Sequence, residues 1–464
     1  MKNIKFIPGT TYIPASGKVY GEEEINNAIE AARDGWWTEG RFTTQFEKDF
    51  SKYLGVKYVT LTNSGSSANL LAFASLSSKV FGRNSLKKGD EFITSPVAFP
   101  TTVNPGLLYG LKPVFVDVKL DTLNIDPERI EKAITKKTKL IILAHALGKP
   151  FDLDKIVKLA KKYHLWLIED CCDALGSKYD GKLTGTYGDL ATFSFYPAHQ
   201  ITMGEGGAVV TNNPLIHRSL RQFRDWGRDC WCNTGRDNTC GKRFGWQLGQ
   251  LPKGYDHKYT YSQIGFNLKL TDFQAAIGLA QMKKLPGFIK KRKENYRKLE
   301  EFFEQYSVNS EASDLRSTVK IFADRFLSER EGAYGQKKAS SRASSGARKF
   351  LPASKSKYFI LMTTKPKEDP CWFGFPLVIL PNAPFTRNQL TEYLEMNKIG
   401  TRNVFSGNLL KHPAYQDIRY RTAGKIVNAD IVMNNAFWIG VYPGINDEMI
   451  EYIKKTFNNF LLKK

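Results

Sequence analysis

Residues 140–176 read Leu140-Ile-Ile-Leu-Ala144-His-Ala-Leu-Gly148-Lys-Pro-Phe-Asp152-Leu-Asp-Lys-Ile-Val-Lys-Leu-Ala160-Lys-Lys-Tyr163-His-Leu-Trp166-Leu-Ile-Glu-Asp170-Cys-Cys-Asp173-Ala-Leu-Gly176. Leu140–Ala144 and Trp166–Glu169 are short apolar runs of strand length. Leu153–Tyr163, between them, carries a helical pattern. A strand, a helix and a second strand in this order predict an α/β layer fold with a mainly parallel sheet. The second strand ends in carboxylates. In open α/β sheets the carboxyl ends of the strands are where ligands bind.

The same alternation extends outward. Tyr58–Thr62, Glu91–Thr94, Pro113–Val118, Thr192–Tyr196 and Ala208–Thr211 read as strands. Ser64 opens a helix through Ser75, and Leu215–Trp226 fits another. Asp126-Pro-Glu-Arg reads as an N-cap with proline at the first helical position. From Thr271 to Gln305 the pattern is helical almost throughout, with Pro286 expected to break or kink it. After Trp372, Phe375–Leu380 reads as a strand, and Arg387–Asn397 and Glu448–Phe460 as helices. The expected organisation is a three-layer sandwich over residues 1–285 and a smaller C-terminal α/β domain over 286–464. Within the latter, residues 309–357 form a basic, serine-rich insertion. Gly332–Lys357 holds seven Lys/Arg, six Ser and no acidic residue. Such composition lacks apolar periodicity and predicts disorder.

The 464 residues suffice for a large core plus a second domain. No stretch approaches eighteen uninterrupted apolar residues, so no membrane span is expected. The start, Met-Lys-Asn-Ile-Lys-Phe-Ile-Pro, lacks the apolar core of a signal peptide, and a cytoplasmic location is expected. The net charge of +22 fits a nucleic-acid partner or an anionic nucleotide-linked substrate. The motifs below belong to a small-molecule site.

Asn63-Ser-Gly-Ser-Ser-Ala68 follows a strand and opens a helix. Free backbone N–H groups and the hydroxyls of Ser66 and Ser67 suit a phosphate there, although a simple capped turn has the same signature. Phe99 follows another strand, where a ring would stack on a planar cofactor or fill the core. Asp170 is placed to pair with a protonated pyridine nitrogen or to cap a helix. Ser194 would add a hydroxyl to a phosphate cup, and Gly204-Glu-Gly-Gly207 permits a tight return into the next strand.

Taken in order, these pieces resemble the fold-type-I pyridoxal-phosphate enzymes. Within them they resemble the sugar aminotransferases of the DegT/DnrJ/EryC1/StrS family. Gly40-Arg-Phe-Thr-Thr-Gln-Phe-Glu47 and Gly265-Phe-Asn-Leu-Lys-Leu-Thr-Asp-Phe-Gln-Ala-Ala276 carry the resemblance further, over about residues 10–305 and 368–464. It implies that Ser66, Ser67 and Ser194 bind cofactor phosphate, that Phe99 stacks on the ring, and that Asp170 holds the pyridine nitrogen. Asn267 would reach the phosphate of a neighbouring subunit in a homodimer. By the same resemblance Asp173 would stand near the ring hydroxyl, where many members carry Gln or His. In the run Thr192-Phe-Ser-Phe-Tyr-Pro-Ala-His199, the histidine occupies the position of the family's Schiff-base lysine. Imidazole forms no stable imine with an aldehyde, but it moves protons near neutral pH. This exchange marks a subgroup that removes the 3-hydroxyl of nucleotide-linked 4-keto-6-deoxy sugars with non-covalent pyridoxamine 5'-phosphate (PMP). One kind works on a GDP sugar without a cluster. The other works on a CDP sugar with a 2Fe-2S cluster and an NADH-dependent flavin/iron–sulfur reductase, in lipopolysaccharide deoxysugar synthesis. Arg402 and Asn403 would meet the substrate diphosphate, or Arg402 would form an exposed salt bridge.

There are six cysteines, of which Cys230, Cys232 and Cys240 fall within eleven residues, a compact metal-binding pattern. Cys172, separated from Cys230 by 57 residues, completes a set whose spacing resembles that of the cluster-bearing kind. Four thiolates suit a 2Fe-2S cluster or zinc, and spacing does not name the metal. Cys171 and Cys371 read as small buried residues.

Overall fold

The computed structural model describes residues 6–230, 232, 234–308 and 357–464. Its centre is an eight-stranded mixed sheet: β1 Tyr58–Thr62, β2 Glu91–Thr94, β3 Lys112–Phe115, β4 Thr138–Ala144, β5 Trp166–Asp170, β6 Leu190–Ser194, β7 Gly207–Thr211 and, far along the chain, Arg421–Thr422. The order is β1-β7-β6-β5-β4-β2-β3, with Arg421–Thr422 on the far edge. β2 to β6 are joined in parallel, whereas β7 runs antiparallel to both β1 and β6. The expected mainly parallel sheet is therefore present. Two of its strands are shorter or shifted: β3 stops at Phe115, and β6 begins two residues before Thr192.

Why these runs are apolar at every position follows from the layers. Leu140 and Ile142 face one core, with the helix Gly65–Leu76 (α3), while Ile141 and Leu143 face another, with the helix Leu153–Lys162. A parallel strand buried on both sides has no polar face to show. A third cluster gathers Phe193, Ala208 and Val210 against the helix Arg41–Leu54 and the start of the helix Asp272–Phe303.

That last helix is continuous, so the expected break at Pro286 is not seen. Its first half, with Ala275, Ala276 and Leu285, packs into the large sheet's core. Its second half, with Tyr296, Leu299 and Phe303, packs into the C-terminal core. Burial on both flanks outweighs the cost of one missing donor, about 3 kcal/mol for an internal proline. The C-terminal core surrounds a four-stranded antiparallel sheet of Phe359–Ile360, Gly374–Ile379, Ala436–Gly440 and Thr401–Arg402. The helices Arg387–Met396 and Asp447–Leu461 contribute Leu390, Leu394, Ile450, Ile453 and Phe457 to it. Most of the basic insertion, residues 309–356, lies outside the described residues.

Polar ties join the two cores. The Asp117 carboxylate, just past β3, accepts from the backbone N–H of Val427 (2.7 Å), Asn428 (2.9 Å) and Ala429 (2.9 Å), capping the helix Asn428–Asn435. The buried Lys149 ammonium pairs with Glu368.

Candidate active site

Antiparallel β7 brings its first residue, Gly207, beside Thr62, so β1, β2, β5 and β6 all deliver their carboxyl ends to one edge. The chain can close up there only with glycine. A Cβ on Gly207 would stand 2.3 Å from the Ser64 carbonyl oxygen, and one on Gly65 would stand 2.4 Å from Ser194 Cβ. The two glycines thus press the start of α3 against the end of β6.

Between this edge and the C-terminal domain lies a cavity of about 460 Å³. Ser66, Phe99, Asp170, Asp173, Ser194 and His199 line it, together with Cys172, Arg402 and Asn403. Ser67 does not; its amide donates to Ser64 Oγ and its hydroxyl oxygen accepts from it, each at 3.1 Å, closing the N-cap. Asn267 is exposed and pairs through its backbone with Asp225, away from the cavity.

Asp170 is held by three donors. Its Oδ2 accepts from Asn69 Nδ2 at 2.9 Å and Thr102 Oγ1 at 2.8 Å. Its Oδ1 accepts from the Cys172 amide at 3.2 Å. Asn69 is fixed in turn by the Thr192 hydroxyl at 2.7 Å. A carboxylate held this way points rigidly. His199 Nδ1 is 3.4 Å from Asp173 Oδ1. Both His199 Nδ1 and Asp173 Oδ2 are buried without a hydrogen-bond partner. Burial pushes the Asp173 carboxyl above the usual range, and the neighbouring imidazole offsets only part of that. Buried polar atoms are normally paired, so the long His199–Asp173 contact and the unpaired Asp173 Oδ2 leave hydrogen-bonding capacity at this wall of the cavity. The serines at a helix start, the fixed carboxylate and the half-exposed Phe99 ring suit a flat, phosphorylated, cationic ring compound.

Several lining or supporting residues carry no sequence signal. Phe373 and Trp438 come from the C-terminal sheet; the Phe373 ring lies 5.3 Å from the imidazole and 5.2 Å from the Trp438 ring. Arg292, 1% exposed, donates to the carbonyl oxygens of His199 (3.0 Å), Trp372 (3.3 Å) and Phe373 (3.2 Å). Desolvation lowers the basicity of this guanidinium, partly offset by Cys371 and Asp173.

The cysteines divide. Cys171 and Cys371 are buried. Cys230 and Cys232 lie within hydrogen-bond reach of each other, and the Cys240 amide faces the Cys232 sulfur. The Lys242 amide donates to Cys240 Sγ at 3.4 Å, and His257 Nε2 lies 3.8 Å from that sulfur. Burial pushes the Cys232 thiol up, but hydrogen bonds from Thr239, Cys230 and Cys240 bring it below its ordinary value. Amides and a hydroxyl turned toward sulfur suit thiolates. Cys172 is not with them: it opens on the cavity, and its charged neighbours are Asp170 and Asp173. Among the described residues, the one group of three metal-ligating atoms mutually within 4.8 Å is His145, Glu169 and Cys171. That Glu169 is already satisfied by the amides of Gly185, Tyr187 and Gly188, so the trio reads as a buried structural network.

The sheet order, the second domain and the cavity between them define the fold-type-I pyridoxal-phosphate-dependent transferase fold. Residues 18–323 and 353–458 match the DegT/DnrJ/EryC1/StrS aminotransferase family, and the chain belongs to it. The chain is 46% identical over 455 residues to the lipopolysaccharide biosynthesis protein RfbH of Salmonella typhimurium, covering 98% of this chain and 93% of that protein. It is 45% identical to the dTDP-4-dehydro-2,6-dideoxy-D-glucose 3-dehydratase of Saccharopolyspora spinosa, covering 99% of this chain and 88% of the other. Among solved structures, an E. coli GDP-4-keto-6-deoxy-D-mannose-3-dehydratase with bound hydrated PLP superposes with a TM-score of 0.77. That pair shares 27% identity, covering 96% of this chain and 99% of the other.

Proposed function

We propose that this protein is a PMP-dependent 3-dehydratase of a nucleotide-linked 4-keto-6-deoxy sugar. CDP-4-keto-6-deoxyglucose is the substrate, and a reductase completes the deoxygenation for lipopolysaccharide deoxysugar synthesis. The observation that carries the reading is His199: an imidazole that lines the cavity, with Nδ1 turned toward Asp173, in a site otherwise equipped to hold a phosphorylated ring. The named relatives RfbH and the two 3-dehydratases support it.

When bound, PMP would supply the amine that engages the 4-keto group and the ring that holds the electron pair freed at its 4′ carbon, the pair the departing 3-hydroxyl would carry away. The chain's residues divide the remaining work. Ser66, Ser194 and the amides opening α3 receive the phosphate. Asp170, with Oδ2 fixed by Asn69 and Thr102, keeps the ring nitrogen protonated. Phe99 covers the ring face. His199 removes a proton at the cofactor's 4′ carbon and is oriented by Asp173. Arg402 and Asn403 receive the substrate diphosphate. Asn267 serves the phosphate of a second subunit in a homodimer. A 2Fe-2S cluster on Cys172, Cys230, Cys232 and Cys240 would pass single electrons from an NADH-dependent flavin/iron–sulfur reductase.

The test offers purified protein, PMP and reductase in turn with the CDP-, dTDP- and GDP-linked 4-keto-6-deoxy sugars. Product is followed by mass spectrometry. Loss of the 3-oxygen, fastest with CDP, is expected. Transfer of an amino group, or no reaction with any of the three, would overturn the reading. A cluster-free enzyme is the second reading, favoured by the distance between Cys172 and the other cysteines; reductase-independent turnover of the GDP sugar by iron-free protein would establish it.

A further inference from the structure

We infer that the four-cysteine set is assembled across a dimer, with Cys230, Cys232 and Cys240 of one chain facing Cys172 of the partner subunit. The inference rests on the cluster reading above and changes where the cluster lies.

The fold separates these sulfurs within one chain. Cys172 follows β5, the fourth strand from the β1 edge. The loop bearing the other three follows the helix Pro214–Arg224, which packs against α3 and β1. It then passes outside β1: Thr234 Oγ1 donates to Glu39 Oε2 at 2.9 Å, and Gly235 abuts the Trp36 ring. Three strand spacings, roughly 14 Å, lie between the β1 edge and β5. Two sulfurs on one metal ion cannot be farther apart than two bonds of about 2.3 Å. A second metal in a cluster adds only one metal–metal step. The cavity that Cys172 opens on includes none of the other three cysteines among its lining.

A second copy supplies what one chain lacks. The same loop region ends in a run of exposed apolar groups. Tyr259 and Tyr261 are more than half exposed and Ile264 is 94% exposed, next to the exposed Asn267. The rim of the cavity is also uncovered and aromatic, at Phe99 and Tyr196. A twofold axis lets each chain lay its loop over the other's cavity, so both apolar surfaces are covered twice by one interface. The cysteines travel with the loop to the wall that holds Cys172 of the partner subunit.

Hybrid dimers test this. A chain carrying Cys172→Ser is co-expressed with a differently tagged chain carrying Cys230→Ser, Cys232→Ser and Cys240→Ser. The hybrid is isolated on both tags and loaded anaerobically with iron and sulfide. Iron, sulfide and visible absorbance are then measured. Shared sites leave one complete set per hybrid, so half the wild-type iron is expected, with both parent homodimers empty. An empty hybrid beside loaded wild-type protein would overturn the inference and put the set within one chain. A fully loaded Cys172→Ser homodimer would also overturn it; loss of that iron in Cys172→Ser/His257→Gln would name His257 as the fourth ligand. Wild-type protein that takes up no iron would instead fail the cluster reading itself. Independently of hybrid formation, mild oxidation of the metal-free protein should give a covalent dimer through Cys172 and Cys230 or Cys232. Its absence would count against the shared site.

Discussion

The cavity at the strand ends and the cysteine loop at the sheet edge are both built from short local motifs, yet only the first takes its positions directly from the strands of the sheet. Ser66, Phe99, Asp170, Ser194 and His199 sit within a few residues of strand ends that the sheet must bring to one edge. Backbone pairing sets their separations before any side chain is placed. Cys230, Cys232 and Cys240 hang from a long connection whose position depends on what covers it. The teaching is that a site carried on adjacent strands inherits the rigidity of the sheet, whereas one carried on a loop inherits that of its neighbours.

The harshest break of this contrast is chemical. His199→Asn is expected to cut dehydration by about 10²–10⁴-fold, the usual worth of a positioned base, with the fold and thermal midpoint intact. Full activity in that variant would remove the role assigned to the imidazole. His199→Lys should likewise lose dehydration while acquiring a covalently held cofactor, visible by absorbance and by mass after borohydride reduction.

Next in size is Arg292→Met. It leaves two buried carbonyl oxygens and one part-buried one without this donor, each buried one worth about 1–3 kcal/mol. A stability loss of about 3 kcal/mol in urea titration and a lower kcat are expected, with Arg292→Lys partly restoring kcat. Unchanged kcat in the Met variant would show that the cavity's rigidity comes from the sheet alone.

Acid should loosen the edge before the centre. His217 stacks on Tyr58 of β1, with ring centroids 4.6 Å apart. Burial, with help from Arg221 and Arg224, brings its pKa down to about 4. The unfolded chain therefore takes up a proton first, near pH 6.5. The stability this histidine provides is present above that value and is lost as pH falls toward 4, by at most about 1.4 kcal/mol per unit. Hydrogen exchange at pH 5 should rise in residues 207–230 more than in residues 140–170, and His217→Phe should remove the difference.

The smallest effect concerns thiols. In metal-free protein at neutral pH, iodoacetamide should label Cys232, with its thiol lowered by hydrogen bonds, about tenfold faster than Cys172, whose thiol burial and Asp170 push up. Equal rates, read by peptide mass spectrometry, would erase the electrostatic distinction between the two regions.

Much of this was legible in the chain. Apolar runs separated by helical patterns imply a layered α/β sheet because a strand covered on both faces has no polar side. Ser66, Phe99, Asp170 and His199 could be read because each lies beside the strand that positions it. Arg292 and Phe373 could not, since they are 93 and 174 residues beyond His199 and meet it only when the C-terminal domain closes. The antiparallel course of β7 was equally hidden: Ala208–Thr211 reads as a strand in either direction, and its partners are chosen by packing. Nor could spacing alone say that Cys172 stands apart from the other three cysteines. The sequence by itself determined which residues occupy strand ends and which chemistry they offer, because those relations are local. Only the tertiary structure decided which ends meet, because strand order and the separation of Cys172 from Cys230 arise from burial of distant apolar faces.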